Sequence, residues 1–353
     1  MTAAKRSAMH RLLRGRMLYV LLGALVAVLY AGIVPVTLPR HHGAAEVSAP
    51  DDTLEWWPKT LDAGAVKAAL AEQPALGPML SAIMLLLIGF GAGGALLFAW
   101  ALATGRLRAL WGVTSHRLPP WSFGELGRIL LLTVLVASLL PFLSAAWGTD
   151  PVSGAADHHL WVTVSMLFLD VFIILLVLAF ASEKGPSAWS TLGFSGFSPV
   201  AVGLRGYLMA FPWLFLILLL MVKVMQWFHL KPPVESIQEL IFQEQRGGVL
   251  ALVLMLACVI GPVAEELFFR GVVYPAIRQR TSRLAATLLS GAAFSLVHTN
   301  LVGFLPIMAL GCLLAHLYES TGSLASPLAV HIVHNSLLMS LALVLRKLLF
   351  LTQ

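Results

Sequence analysis

The chain has 353 residues, of which 59% are hydrophobic and only 11% charged, with a mean hydropathy of +0.87 and a formal net charge of +6. Soluble domains carry more than twice that charge fraction, so the composition excludes a soluble domain and fits a polytopic membrane protein. The basic residues gather at the ends of apolar segments, where membrane anchoring accounts for them, so nucleic acid is not an expected partner. Two cysteines, Cys258 and Cys312, both in apolar segments, give neither a disulfide framework nor a Cys-rich metal site.

A helix needs roughly 20 apolar residues to cross the hydrocarbon core, and the chain offers about nine such segments, predicting an all-α transmembrane helix bundle. They run from Met17 to Leu38, Met79 to Thr104, Ile129 to Trp147, Trp161 to Ala181, Gly206 to Phe228, Gly248 to Phe269, Leu284 to Leu301, Phe304 to Tyr318 and Leu324 to Leu345. The sixth is expected to continue as a helix toward Arg278. Residues 1–16 form a basic tail with Lys5, Arg6, Arg11, Arg14 and Arg16 and no acid, which the positive-inside rule places in the cytoplasm. Alternation from there puts Arg106, Arg108 and Arg117, and then Arg278, Arg280 and Arg283, on the cytoplasmic side. The stretch from Gly148 to Leu160, without Lys or Arg, falls outside; Arg346 and Lys347 would also land outside, against the trend. The first apolar run is too long for a signal peptide and reads as a retained anchor. An acidic, Pro-containing external loop at 39–78, with Trp56 and Trp57 suited to an interface, completes an N-terminal membrane region at 17–240. A second region at 241–353 holds the chemistry.

Inside that region Gly261-Pro-Val-Ala-Glu265-Glu266-Leu-Phe-Phe-Arg270 places two carboxylates and a guanidinium in a span-length apolar run. Ionisable groups at membrane depth are costly and default to function. Glu266 and Arg270 are four apart and share a helix face, whereas Glu265 points about 100° away. Arg270 is therefore expected to neutralise Glu266, leaving Glu265 to face a cavity. The bland alternative is an ion network that only fixes helix packing. On the next segment, His298 lies about as far from the Arg280–Arg283 turn as Glu265 does, roughly 20 Å at 1.5 Å per residue, so antiparallel neighbours would bring the two level. On the last segment His331 and Asn335 are four apart and can aim donors at one point, as an oxyanion hole requires; His334 is near enough in angle to compete.

Glu265-Glu266-x-x-x-Arg270, Phe294-x-x-x-His298 and His331-x-x-x-Asn335, in that order on successive apolar segments, resemble the three motifs of the CPBP family of intramembrane proteases, also known as the CAAX-processing and bacteriocin-processing or Abi family. Tyr318-Glu319-Ser-Thr321-Gly322-Ser323 is similar to that family as well, and the resemblance covers about Gly248 to Leu345. It implies a glutamate-dependent endopeptidase (a hydrolase) without a cofactor, acting on a peptide or membrane-protein substrate within the bilayer. Glu265 and His298 would activate water, His331 with Asn335 would stabilise the oxyanion, and Glu266 and Arg270 would support them. The family pattern favours His331 over His334. The chain is thus expected to be a multi-pass protein of a bacterial cytoplasmic membrane.

Two other functional classes compete: a proton-coupled transporter using Glu265, Asp170 and His298 as relay groups, and a non-catalytic scaffold or immunity-type protein. Zinc could in principle be held by Glu265, His298 and His331, but the His-Glu-x-x-His signature is absent and no metal is expected. The pairs His41-His42 and His158-His159 read as solvated, and Asp170 as a buried acid bonded to a neighbouring helix. Lys223 reads as a snorkelling cation, Cys258 as a small core residue, and the glycines at 89, 91, 93 and 94 as sites of close helix packing.

Overall fold

Backbone groups in hydrocarbon must be satisfied within their own segment, and apolar runs of this length can do so only as helices. The structure, a computed structural model, describes residues 19–26, 63–107, 118–146, 155–194, 198–228, 236–298 and 303–352, and no strand occurs among them. The helices are α1 (Ala63–Glu72), α2 (Leu76–Ala103), α3 (Phe123–Ala146), α4 (Ala155–Ser182), α5 (Ala188–Thr191), α6 (Ser198–Phe228), α7 (Ser236–Gln243), α8 (Gly247–Arg278), α9 (Arg283–Leu296), α10 (Phe304–Thr321) and α11 (Ala325–Thr352). Seven of these are long and apolar enough to cross a membrane. Of the first expected segment only 19–26 is described, as helix; the basic tail, His41-His42 and Trp56-Trp57 lie outside the described residues.

Three expectations need correction. The stretch at 39–78 is not loop throughout, since α1 lies within it and packs on α11, and α2 already begins at Leu76. The segment expected from Leu284 to Leu301 is shorter. With 14 residues, α9 is about 21 Å long, shorter than the roughly 30 Å hydrocarbon core of a bilayer. Arg283 Nη2 donates to Ser320 Oγ at 2.8 Å, so α9 starts and α10 ends at one level, and the two form a hairpin entering from the Arg278 end. His159 is not solvated: it is buried in α4, where its Nδ1 lies 3.2 Å from Glu244 Oε2, while His158 is exposed.

The central element is α8, packed against α4, α9, α10 and α11. Its regular winding is interrupted by two π turns, Leu256–Ile260 and Phe269–Val273. Each precedes a proline, Pro262 and Pro275, and contains the residue four positions before it, Cys258 or Gly271. A proline ring clashes with the i−4 carbonyl and offers no donor to it, and a π turn relieves both problems without ending the helix. Between the two π turns stands the segment Gly261–Phe268, which carries both glutamates.

Packing around α8 depends on small residues at a few points. A Cβ on Gly94 of α2 would lie 2.0 Å from the Leu208 carbonyl oxygen of α6, so this glycine permits the α2–α6 contact. A Cβ on Gly89, Gly91 or Gly93 would meet no described atom within 4 Å, so the expectation of close packing fails at those three. In the α9–α10 hairpin a Cβ on Gly311 would meet Gly291 Cα at 3.0 Å and Phe294 Cδ1 at 3.1 Å. That closeness carries the Gly311 carbonyl toward α8.

At the opposite end from Arg278, the buried Glu244 closes a clamp. Its carboxylate accepts from Arg246 N at 2.7 Å, Arg246 Nε at 3.0 Å and Arg246 Nη2 at 2.9 Å, and pairs with His159 of α4. Its backbone carbonyl accepts from Arg346 of α11. Arg346, which stood against the charge trend, is thus tied into protein, and α11 runs antiparallel to α8. The bonds from Arg246 hold the Glu244 carboxyl down to about 2 from an ordinary 4.5.

Gly94→Ala should lower the thermal midpoint in detergent, in line with an overpacking cost of about 1–3 kcal/mol, while Gly91→Ala leaves it unchanged. A group whose acidity is raised by folding stabilises above its unfolded value and ceases to do so as pH falls through the folded one. Stability should therefore decline from pH 4.5 toward pH 2, and acid melts of Glu244→Gln should show a shallower decline.

Candidate active site

Adjacent residues on a helix diverge by about 100°, and the two glutamates part accordingly. Glu266 turns inward and is 1% exposed, whereas the Glu265 side chain remains 32% exposed. Arg270, one turn on, is fully buried. Its Nη1 donates to Glu266 Oε1 at 2.8 Å, its Nη2 to the Gly311 carbonyl at 3.0 Å, and its guanidinium carbon lies 4.5 Å from the centre of the Phe294 ring. A charge so deep is retained only when paired and bonded, and Arg270 has both partners plus an aromatic face.

His331 of α11 approaches from the other side, with Nδ1 2.9 Å from Glu266 Oε1. A carboxylate already paired with guanidinium accepts, so Nδ1 carries the proton and the ring is fixed in one orientation. That orientation points Nε2 at Glu265 Oε2, 3.6 Å away. This oxygen is buried and makes no hydrogen bond to any described residue. His334 faces elsewhere: its Nδ1 is 3.0 Å from the Tyr207 hydroxyl of α6, so α11 presents His331 and not His334 to the glutamates.

The remaining two residues stand close by without touching the carboxylates. Asn335 Nδ2 donates to the Ala257 carbonyl at 2.9 Å, in the first π turn of α8, which leaves its second N–H unused. His298 lies on the turn that follows α9, where its Nδ1 donates to the Phe294 carbonyl at 2.8 Å, leaving Nε2 with a lone pair. No hydrogen bond or ion pair among the described residues links His298 to Glu265. What relates His298 to the rest is Phe294, whose ring centre is 4.8 Å from that of His298, 5.7 Å from that of His331 and 5.2 Å from that of Phe269. Among the described residues no group of three His, Cys, Asp or Glu side chains could hold a metal ion together.

Sequence reasoning missed several parts of this arrangement. Phe294 was a motif letter without a task, and the carbonyls of Ala257 and Gly311 bear no side-chain signature at all. The prolines at 262 and 275 were the available signal for the π turns. Glu319, 1% exposed, is held by the Tyr274 hydroxyl at 2.9 Å and Arg278 Nε at 3.2 Å. It locks the end of α8 to α10 below the site.

A multi-pass helical bundle with a buried carboxylate–guanidinium–imidazole network is the class defined by fold and site. The Type II CAAX prenyl endopeptidase Rce1-like family matches residues 247–337, a stretch that includes Glu265, Glu266, Arg270, His298, His331 and Asn335. A protein of Bacillus subtilis (strain 168) named Putative membrane peptidase YdiL is 31% identical over 85 residues, covering 24% of this chain and 35% of that protein. The chain thus matches about a third of the length of this relative, and no solved structure matches it.

Removing one member of a buried ion pair strands the other, at a cost of about 3–5 kcal/mol. Arg270→Gln should therefore destabilise strongly in SDS-titrated unfolding, and Glu266→Gln/Arg270→Gln should recover part of the loss.

Proposed function

We propose that the protein is a CAAX-type intramembrane glutamic endopeptidase that hydrolyses a peptide bond in a membrane-associated, prenylated or peptide substrate. The observation that carries this reading is the state of Glu265: a carboxylate at membrane depth, with one oxygen unbonded and 3.6 Å from an imidazole nitrogen, while the adjacent Glu266 takes up the guanidinium. The Rce1-like match and the peptidase named in the relative support the same class.

In the proposed reaction Glu265, with the Nε2 lone pair of His298, takes a proton from water. The water O–H bond breaks as its oxygen bonds to the scissile carbonyl carbon. Negative charge then develops on the carbonyl oxygen, where the second N–H of Asn335 would donate together with His331 Nε2, through a proton that the ring brings into the reaction and keeps throughout it. Glu266 supports the change by holding Nδ1 of His331, and Arg270 holds Glu266. Collapse of the intermediate breaks the C–N bond, and the proton on Glu265 passes to the leaving amine. Preorganised donors of this kind typically contribute about 10²–10³-fold each. The N-terminus is proposed to lie in the cytoplasm of a bacterial cell, on the strength of the basic tail at 1–16 and the arginines near the end of α8.

The test compares membrane-peptide profiles from cells expressing the wild type and Glu265→Gln at matched levels, with and without a chelator. Fragments that require Glu265 and persist with the chelator are expected. His298→Ala should abolish them while leaving a folded, inserted protein. Identical profiles would discard the peptidase reading in favour of a transporter or a scaffold.

A further inference from the structure

Between the first turns of α2 and the end of α11 lies a cavity of about 590 Å³, a size usual for ligand sites. Leu76, Met79 and Ile83 of α2 and Leu343 and Val344 of α11 line its body, while Gln73, Arg346 and Lys347 bring polar groups to it. The two cations sit at a definite depth. Arg346 donates to the carbonyl of Glu244, three residues before Gly247, where the membrane-length run of α8 begins, so Arg346 and Lys347 mark the edge of the hydrocarbon core. From that edge the lining runs inward, to Ile83 seven residues beyond Leu76 and to Ser340 six residues before Arg346, a depth of about 9–10 Å at 1.5 Å per residue.

The cations differ in what already holds them. Arg346 is tied to Glu244, and its guanidinium carbon lies 5.4 Å from the centre of the Phe350 ring. Lys347 is exposed and makes no hydrogen bond or ion pair with any described residue. Cytoplasmic anchoring does not account for it, because this end of the bundle is opposite the one that carries Arg278, Arg280 and Arg283. An unpaired ammonium at the mouth of an apolar trough, at the depth where the bilayer turns polar, complements an anion that carries a hydrocarbon chain.

We propose that this cavity is a binding site for an anionic phospholipid, whose phosphate meets Lys347 and Arg346 and one of whose acyl chains lies between α2 and α11. Basic pockets between membrane helices at the interface take anionic headgroups in this manner. The chain covers the apolar lining from Leu76 to Ile83, and the phosphate supplies the charge partner that Lys347 lacks in the protein. The lipid thereby fastens α2, which lies outside the matched segment at 247–337, to the helix that carries His331 and Asn335. The inference does not depend on the peptidase reading.

Native mass spectrometry of the full-length protein in detergent, titrated with phosphatidylglycerol and with phosphatidylcholine of the same acyl chains, tests the site. Phosphatidylglycerol should bind more tightly than phosphatidylcholine, and Lys347→Gln should weaken it about fivefold, the ratio for one basic side chain beside an anionic lipid. Leu343→Trp, which fills the trough and keeps both cations, should weaken both lipids. Lys223→Gln, which removes an exposed cation outside the cavity, should change neither affinity, and inorganic phosphate should not displace the lipid. Equal affinities of the wild type for the two lipids, or an unchanged affinity in Lys347→Gln, would overturn the proposal. So would an equal loss in Lys223→Gln, which would reduce the effect to net charge, or displacement by inorganic phosphate, which would assign the cations to a free anion.

Discussion

Glu266 accepts from two sides at once, from Arg270 within its own helix and from His331 across the α8–α11 contact, and every other feature of the site follows from that shared carboxylate. A carboxylate this deep in an apolar bundle is tolerable only with a full charge partner. That requirement draws Arg270 into the core, where its second nitrogen reaches the Gly311 carbonyl and its flat face meets Phe294. Because one oxygen of Glu266 binds both cationic and imidazole donors, His331 has no rotational choice, and its far nitrogen is delivered to Glu265.

The network also explains why helix packing has to be tight in particular places. Gly291 and Gly311 let α9 and α10 approach until the Gly311 carbonyl lies within reach of Arg270. The π turns of α8 accommodate Pro262 and Pro275 and leave the Ala257 carbonyl available to Asn335. Strain that a regular helix would have placed at the prolines is spread into wider turns on either side of the glutamates. Two clamps, Glu244 at one end and Glu319 at the other, hold α8 against its neighbours, so the site lies between two fixed points of a long helix.

Much of the site could be read in the sequence because its logic is helical and local. The i, i+4 spacing of Glu266 and Arg270 predicted their ion pair, and the 100° offset predicted that Glu265 would stay apart from it. The same rule could not separate His331 from His334, since both angles allow a role; Tyr207, 127 residues away from His334, decided the matter. His298 was placed on a helix by its apolar surroundings. Hydropathy does not record where a short helix gives way to a turn, and His298 sits on that turn.

By itself the sequence determined the all-α membrane architecture, the order of the three motifs and the pairing of Arg270 with Glu266 and not with Glu265. These depend on composition and on helical periodicity, both properties of the chain alone. Only the tertiary structure decided which histidine meets the glutamates, which glycines permit close approach, that His159 is a buried partner of Glu244, and that Asp170 stands beside Gly261. Each of these is a contact between helices distant in sequence, and the rotation and depth of one helix against another are set by packing, which no local spacing encodes.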